Sequence, residues 1–220
     1  MAIILLGPPG AGKGTLAEEI KTAFHIPHIS TGSIFREAAA GKTPLGEQVR
    51  SILASGGLVP DELTIALVRD RLKQGDTERG YILDGFPRTL PQAEALEGFA
   101  RPGAVINLCL PEEEVTARLS GRRTCPACGE IFHVRHRPSR KEGLCDRCGA
   151  GLTIRPDDEE GAIKNRLRVY RTQTAVLEGF YRERGLCHDL DCHRPPAEIW
   201  KELKPFLQGL EADPPPSSSI

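Results

Sequence analysis

The stretch "GPPGAGKGT" runs from Gly7 to Thr15, directly after the apolar run "AIILL" from Ala2 to Leu6. It combines small residues, a lysine and a hydroxyl in the order a phosphate-binding loop needs. Glycines let backbone N–H groups close around phosphate oxygens, a following helix adds positive potential, and the lysine reaches the outer phosphates. Gly7, Gly12 and Lys13 stand at Walker A spacing. The strict pattern places Ser or Thr after the lysine, whereas here Gly14 intervenes and the hydroxyl comes at Thr15. A second signal is "LDGFPR". Asp84 ends a buried-strand pattern, the position where a carboxylate holds Mg²⁺ through water.

Cys125, Cys128, Cys145 and Cys148 fit Cys-x2-Cys-x16-Cys-x2-Cys, the ligand spacing of a tetrahedral structural zinc site. Gly129 and Gly149 each follow a pair by one residue, which suits the turns around a thiolate-bound metal. The seven cysteines are an odd number, and metal ligation accounts for these four better than disulfides. Four thiolates complete such a site, so His133 and His136 are not needed as ligands. Cys187-His188 and Cys192-His193 read as ordinary packing, and Cys109, within "VINLCL", as a buried apolar thiol. The segment also carries Arg135, Arg137, Arg140, Lys141 and Arg147. Nucleic-acid contact is therefore open at this point, although Phe132 is the segment's one aromatic for base stacking.

The elements that must position these groups alternate. "AIILL", "IPHIS", "GYILDGF", "AVINLCL" and "CHDLD" read as strands, separated by helical patterns. One such pattern runs from Asp157 to Arg184, with Ile163, Leu167, Tyr170, Thr174, Leu177 and Tyr181 on one face. Strand–helix alternation implies an α/β fold of P-loop NTPase type. Its parallel sheet is covered on both faces, with ligands at the carboxyl ends of the strands. The cysteine segment interrupts that rhythm as an insertion.

The 29 basic and 30 acidic residues leave a formal charge of -1, which gives no chain-wide attraction to nucleic acid or lipid. No apolar run approaches the ~20 residues of a membrane span. The start has neither a basic region nor a cleavage site, so no signal peptide and a cytoplasmic location are expected. "EADPPPSSSI", 211–220, has the composition of a disordered tail.

"GPPGAGKGT", "STG", "LDGFPRT", "GRR" and "RPDDEE" occur in the order seen in adenylate kinases, and the chain resembles the long bacterial form with an extended lid. The resemblance covers Met1 to about Leu207. It implies the reaction MgATP + AMP ⇌ 2 ADP in a monomer, with Mg²⁺ as cofactor, a structural Zn²⁺ in the lid and no nucleic-acid or membrane partner. It implies a core of 1–29, 60–121 and 159–210, a helical AMP-binding insert at 30–59 and a zinc-binding lid at 122–158.

By the same resemblance Gly10, Ala11, Gly12, Lys13, Gly14 and Thr15 wrap the ATP phosphates. Arg118, Arg122, Ile131, Phe132 and the backbone near Arg194 complete the ATP site. Thr31, Arg36, Gly57, Leu58, Val59, Gly85, Phe86, Pro87, Arg88 and Gln92 hold AMP together with Arg155 and Arg166. Lys13, Asp84, Arg88, Arg122, Arg155 and Arg166 carry catalysis, and Asp157 and Asp158 form the lid hinge. Arginine suits this work because its guanidinium clamps phosphate bidentately and stays charged. The chain departs from the family pattern at Ser33, where Asp is frequent, at Gly57, where Lys is common, and at Phe132, where Tyr is frequent. Two other readings stand beside this one: a kinase preferring UMP, CMP or another monophosphate, and a nucleic-acid-binding P-loop ATPase that uses the zinc ribbon.

Overall fold

The computed structural model describes residues 1–41 and 43–212; residues 213–220 of the proline- and serine-rich tail lie outside them. Five parallel strands form the main sheet, β1 (Ala2–Leu6), β2 (His28–Ser30), β3 (Tyr81–Asp84), β4 (Ala104–Cys109) and β7 (Cys187–Asp191), in the order β2-β3-β1-β4-β7. β1 is apolar throughout because both of its faces are covered. Ile3 and Leu5 pack toward α1 (Lys13–Phe24) and α9 (Pro196–Ala212). Ile4 and Leu6 pack toward α4 (Asp61–Leu72), α5 (Leu90–Glu97) and α8 (Val176–Arg182).

Register places the chemistry at one end of the sheet. Leu5 pairs with Asp84 and Ser30 also pairs with Asp84, so the ends of β2 and β3 flank the turn that follows β1. Two excursions rise from this end. After β2, α2 (Thr31–Ala40) and α3 (Pro44–Ala54) enclose a small core of Phe35, Ala39, Val49 and Val59. After α6 (Glu112–Gly121), β5 (Arg122–Thr124) and β6 (Ile131–His133) form an antiparallel pair that opens the cysteine segment.

The chain returns through a short 3₁₀ turn at Pro156–Asp158 and α7 (Glu160–Val169). The single helical pattern expected from Asp157 to Arg184 is divided by a π-helical turn at Tyr170–Thr174 before α8 begins. Ile163 and Leu167 before that turn and Leu177 and Tyr181 after it are all buried. Among the described residues no helix is long and apolar enough to cross a membrane.

Candidate active site

The loop after β1 turns through Gly7, Gly10 and Gly12 at φ 126°, 84° and 101°. At Gly7 a Cβ would lie 2.5 Å from the Leu108 carbonyl oxygen, so sterics as well as φ require glycine there. α1 then starts at Lys13 with no side-chain cap and no acidic residue in its first turn. Its N–H groups are left for an anion. The Lys13 ammonium donates to the Gly7 and Pro8 carbonyls at 2.7 and 2.8 Å, curled over the loop. Burial, partly offset by Asp84 and reinforced by Arg88, Arg166 and Arg122, pushes its pKa down to about 8.

Asp84, at the end of β3, faces this loop, and a Cβ on Gly14 would sit 3.8 Å from its Oδ2. A side chain after the lysine would therefore meet the carboxylate in ordinary contact. The structure adds a partner that the sequence reading missed. His28 Nε2 lies 3.2 Å from Asp84 Oδ2, and its Nδ1 lies 3.2 Å from Glu18 Oε1. Two carboxylates accept only, so the ring satisfies both contacts as the imidazolium. Burial opposes the charge on His28, but the bonds to Asp84 and Glu18 outweigh it and hold its pKa above the ordinary value. Burial likewise works to raise Asp84, yet His28, Lys13 and Arg88 together hold it below the usual carboxylate range.

The predicted arginines converge on the same end of the sheet. Asp158, whose side chain is 0% exposed, accepts from Arg122 Nε at 2.7 Å and from Arg166 Nη1 at 2.9 Å. Arg166 also meets Asp157 Oδ2 at 3.0 Å. Arg155 donates to Thr124 Oγ1 at 2.9 Å, and burial, then Arg122 and Arg36, push its pKa down to about 9. Arg88 and Arg36 are lowered as well, by burial first, with Arg166 acting on both. Among the described residues, Lys13, Arg36, Arg88, Arg122, Arg155 and Arg166 are thus offset by only Asp84, Asp157 and Asp158. Such a surplus of enclosed cations suits a polyanion.

A cleft lies beside these cations; Thr31, Gly57, Leu58, Val59, Gly85, Arg88 and Gln92, expected from the sequence, line it together with Gly32, Phe35, Leu53 and Thr64, which were not. Thr31 Oγ1 donates to the Gly85 carbonyl at 2.8 Å, tying α2 to the "DGFPR" turn. Ser33, which replaces the frequent Asp, accepts from Arg36 Nη2 at 3.1 Å and holds that guanidinium without neutralising it. Gly57 takes part through its backbone, donating to Ile52 O at 3.0 Å. Gln92 is 2% exposed and bonds Asp61, a residue that the sequence does not mark as part of the site.

The ATP-side residues are less uniformly gathered. Arg118 Nη2 donates to the Cys192 carbonyl at 2.8 Å, so Arg118 and the backbone leading to Arg194 do come together. The Arg194 side chain turns instead to Glu202 and Asp191. Phe132 is 3% exposed and packs with Cys125 and Cys145, with Arg137 over its ring. In this arrangement it belongs to the small core of the cysteine segment, while its neighbour Ile131 is half-buried.

The four cysteine sulfurs lie within 4.8 Å of one another, with Cys125 and Cys148 at 3.4 Å and Cys128 and Cys145 at 3.5 Å. A zinc–sulfur distance of about 2.3 Å gives tetrahedral edges of about 3.8 Å, so the donor set fits a tetrahedral metal. Two equivalent turns build it. The N–H of Gly129 donates to Cys125 O at 3.0 Å and that of Gly149 to Cys145 O at 2.9 Å, with φ of 76° and 74° at the glycines.

The remaining cysteines and histidines fall outside this cluster, and it is the only such group of potential metal ligands among the described residues. Cys192 is buried and His188 stacks on Phe206 at 4.3 Å, as ordinary packing requires. Cys109, expected to be buried, is exposed: it is the last residue of β4, at the end of the strand and still paired with Asp191.

Comparison with known proteins gives a consistent result. The sequence model described as adenylate kinase matches residues 5–186. An adenylate kinase from Treponema denticola is 52% identical over 198 residues, covering 90% of this chain and 94% of the relative. One from Archaeoglobus fulgidus is 44% identical over 217 residues, covering 96% of this chain and all of the relative. One from Pelobacter propionicus is 49% identical over 218 residues, covering 97% and 99%.

Proposed function

The chain belongs to the adenylate kinase family, and we propose that the cations converging on the β1 turn divide that family's reaction among them. It is an enzyme that transfers the terminal phosphoryl group of ATP to AMP and yields two ADP. The observation that carries the division of roles is the enclosure of Lys13, Arg36, Arg88, Arg122, Arg155 and Arg166 around one space with so few carboxylates to offset them.

Phosphoryl transfer needs positioning and charge stabilisation more than a covalent nucleophile. The N–H groups from Gly10 to Thr15 wrap the ATP phosphates. Lys13 leaves the Gly7 and Pro8 carbonyls to reach the transferred group. Arg88 and Arg36 hold the AMP phosphate, with the base in the Gln92 cleft. Arg122, Arg155 and Arg166 approach from the lid and α7, exchanging part of their hold on Asp157 and Asp158 for phosphate oxygens. Asp84 would hold Mg²⁺ through water, and the bound ion supplies charge neutralisation between the outer phosphates. Transfer is direct and in line.

Residues 30–59 and 122–158 are the moving parts, and their closure over 1–29, 60–121 and 159–210 excludes water from the transferred group. Cys125, Cys128, Cys145 and Cys148 would hold a structural zinc, which stands in for the core so small a lid cannot build. The enzyme is a cytoplasmic monomer without a nucleic-acid partner. Initial rates with AMP, CMP, UMP and GMP test the acceptor assignment. AMP is expected to be preferred, and a clear preference for a non-adenine monophosphate would overturn it.

A further inference from the structure

Gln92 sits at the start of α5 with its amide fully engaged on one side. Its Oε1 accepts the Arg88 backbone N–H at 2.8 Å, and its Nε2 donates to Asp61 Oδ1 at 2.7 Å. The other Asp61 oxygen accepts from Thr89 Oγ1 at 2.9 Å, and Thr89 in turn caps α5 by accepting the Gln92 N–H at 3.3 Å. A backbone N–H can only donate and a carboxylate can only accept. The two faces of the Gln92 amide are therefore not interchangeable, and a flip would set N–H against N–H and oxygen against oxygen.

The amide keeps one carbonyl lone pair and one N–H unused, and Gln92 lines the cleft that also holds Leu58, Val59 and Arg88. A 6-aminopurine offers an exocyclic N–H donor beside a ring-nitrogen acceptor, matching oxygen and then N–H of the fixed amide. A 6-oxopurine places O6 against Oε1, acceptor against acceptor. The mismatch is expensive in a buried site, since unpaired polar groups there find no water.

We propose that Asp61 is a specificity-positioning residue: by locking the Gln92 amide in one orientation, it makes the acceptor cleft select 6-aminopurine over 6-oxopurine monophosphates. Asp61 does not touch the base itself. It acts from the first turn of α4, through Gln92. The inference rests on the reading of the Gln92 cleft as the acceptor-base site.

The test compares kcat/KM for AMP and for inosine monophosphate, a 6-oxopurine nucleotide, at saturating MgATP. The variants are Asp61→Asn, Asp61→Ala and Gln92→Ala. Asp61→Asn puts a potential donor where the amide now meets only an acceptor, and Asp61→Ala removes the Nε2 side of the anchor, leaving the Arg88 N–H on Oε1. In both, the AMP-to-inosine preference is expected to fall about tenfold, a loss of the size expected for one charged hydrogen bond, with KM for ATP unchanged. A purely structural role would slow both acceptors alike and leave the ratio untouched, which overturns the proposal. If Gln92→Ala lowers the ratio while neither Asp61 variant does, Gln92 reads the base without help from Asp61 and the proposal is wrong. If Gln92→Ala also leaves the ratio unchanged, the base-site reading fails, and the proposal falls with it.

Discussion

His28 Nε2 lies 3.2 Å from Asp84 Oδ2, so the carboxylate beside the phosphate loop is held from behind by an imidazolium on the neighbouring strand. The contact has a defined pH window. His28 is raised, so its contribution is full below the ordinary histidine pKa and disappears as pH rises through its folded value. Asp84 is lowered, so its contribution is present above the ordinary aspartate pKa and disappears as pH falls through its folded value. The His28→Asn variant should therefore be less stable than the parent by about 1 kcal/mol near pH 6, or roughly 2–4 °C in thermal midpoint. Thermal scans at pH 6 and pH 9 check this. The difference should shrink at the higher pH, and a constant difference would show that the ring acts by packing alone.

Asp158 links two arginines without contact with solvent. Replacing it with Ala leaves Arg122 and Arg166 facing one another with Asp157 alone, and should cost about 3 kcal/mol, as for other broken buried ion pairs. Inorganic pyrophosphate should restore part of the lost thermal stability in Asp158→Ala, and more than it adds to the parent. Equal stabilisation of both proteins would mean that the arginines are not the anion's partners.

Lys13 sits near pKa 8 without nucleotide and must be charged to hold phosphate. Binding an anion beside it raises that value. ATP binding above pH 8 should thus take up a proton, and ATP affinity should fall as pH rises beyond 8. Titration calorimetry in buffers of different ionisation enthalpy measures this uptake. Lys13→Met should reduce the uptake and lower kcat/KM by about a thousandfold, the loss expected from one transition-state charge partner.

The four cysteines predict one zinc per chain. Removing it with a chelator, or changing Cys145 to Ser, should lower the thermal midpoint and leave measurable activity at low temperature. Metal analysis and calorimetry check both statements. Loss of all activity while the core and lid stay folded would give the metal a role beyond structure.

Much of this was legible from local spacing. The glycine loop, the strand-ending Asp84 and the paired cysteines each combine a motif with a period, and each lies where the period placed it. What escaped detection depended on register between distant segments. His28 gains meaning only because β2 lies beside β3 and brings it to Asp84, 56 residues away. Asp61 reaches Gln92 across the α4–α5 contact, 31 residues away. The resemblance places Phe132 beside the ATP adenine, whereas in the structure it packs with Cys125 and Cys145, a contact that only the folding of the cysteine segment reveals. Cys109 looked buried because β4 is apolar, yet the strand ends there.

The most direct measurement is to follow label from ATP carrying a radioactive terminal phosphate, with and without AMP. With AMP present, the label should appear in the terminal phosphate of ADP formed from AMP, with none bound to the protein and little released as free phosphate. Release of labelled phosphate into water without ADP formation from AMP, or its stimulation by nucleic acid, would contradict the account.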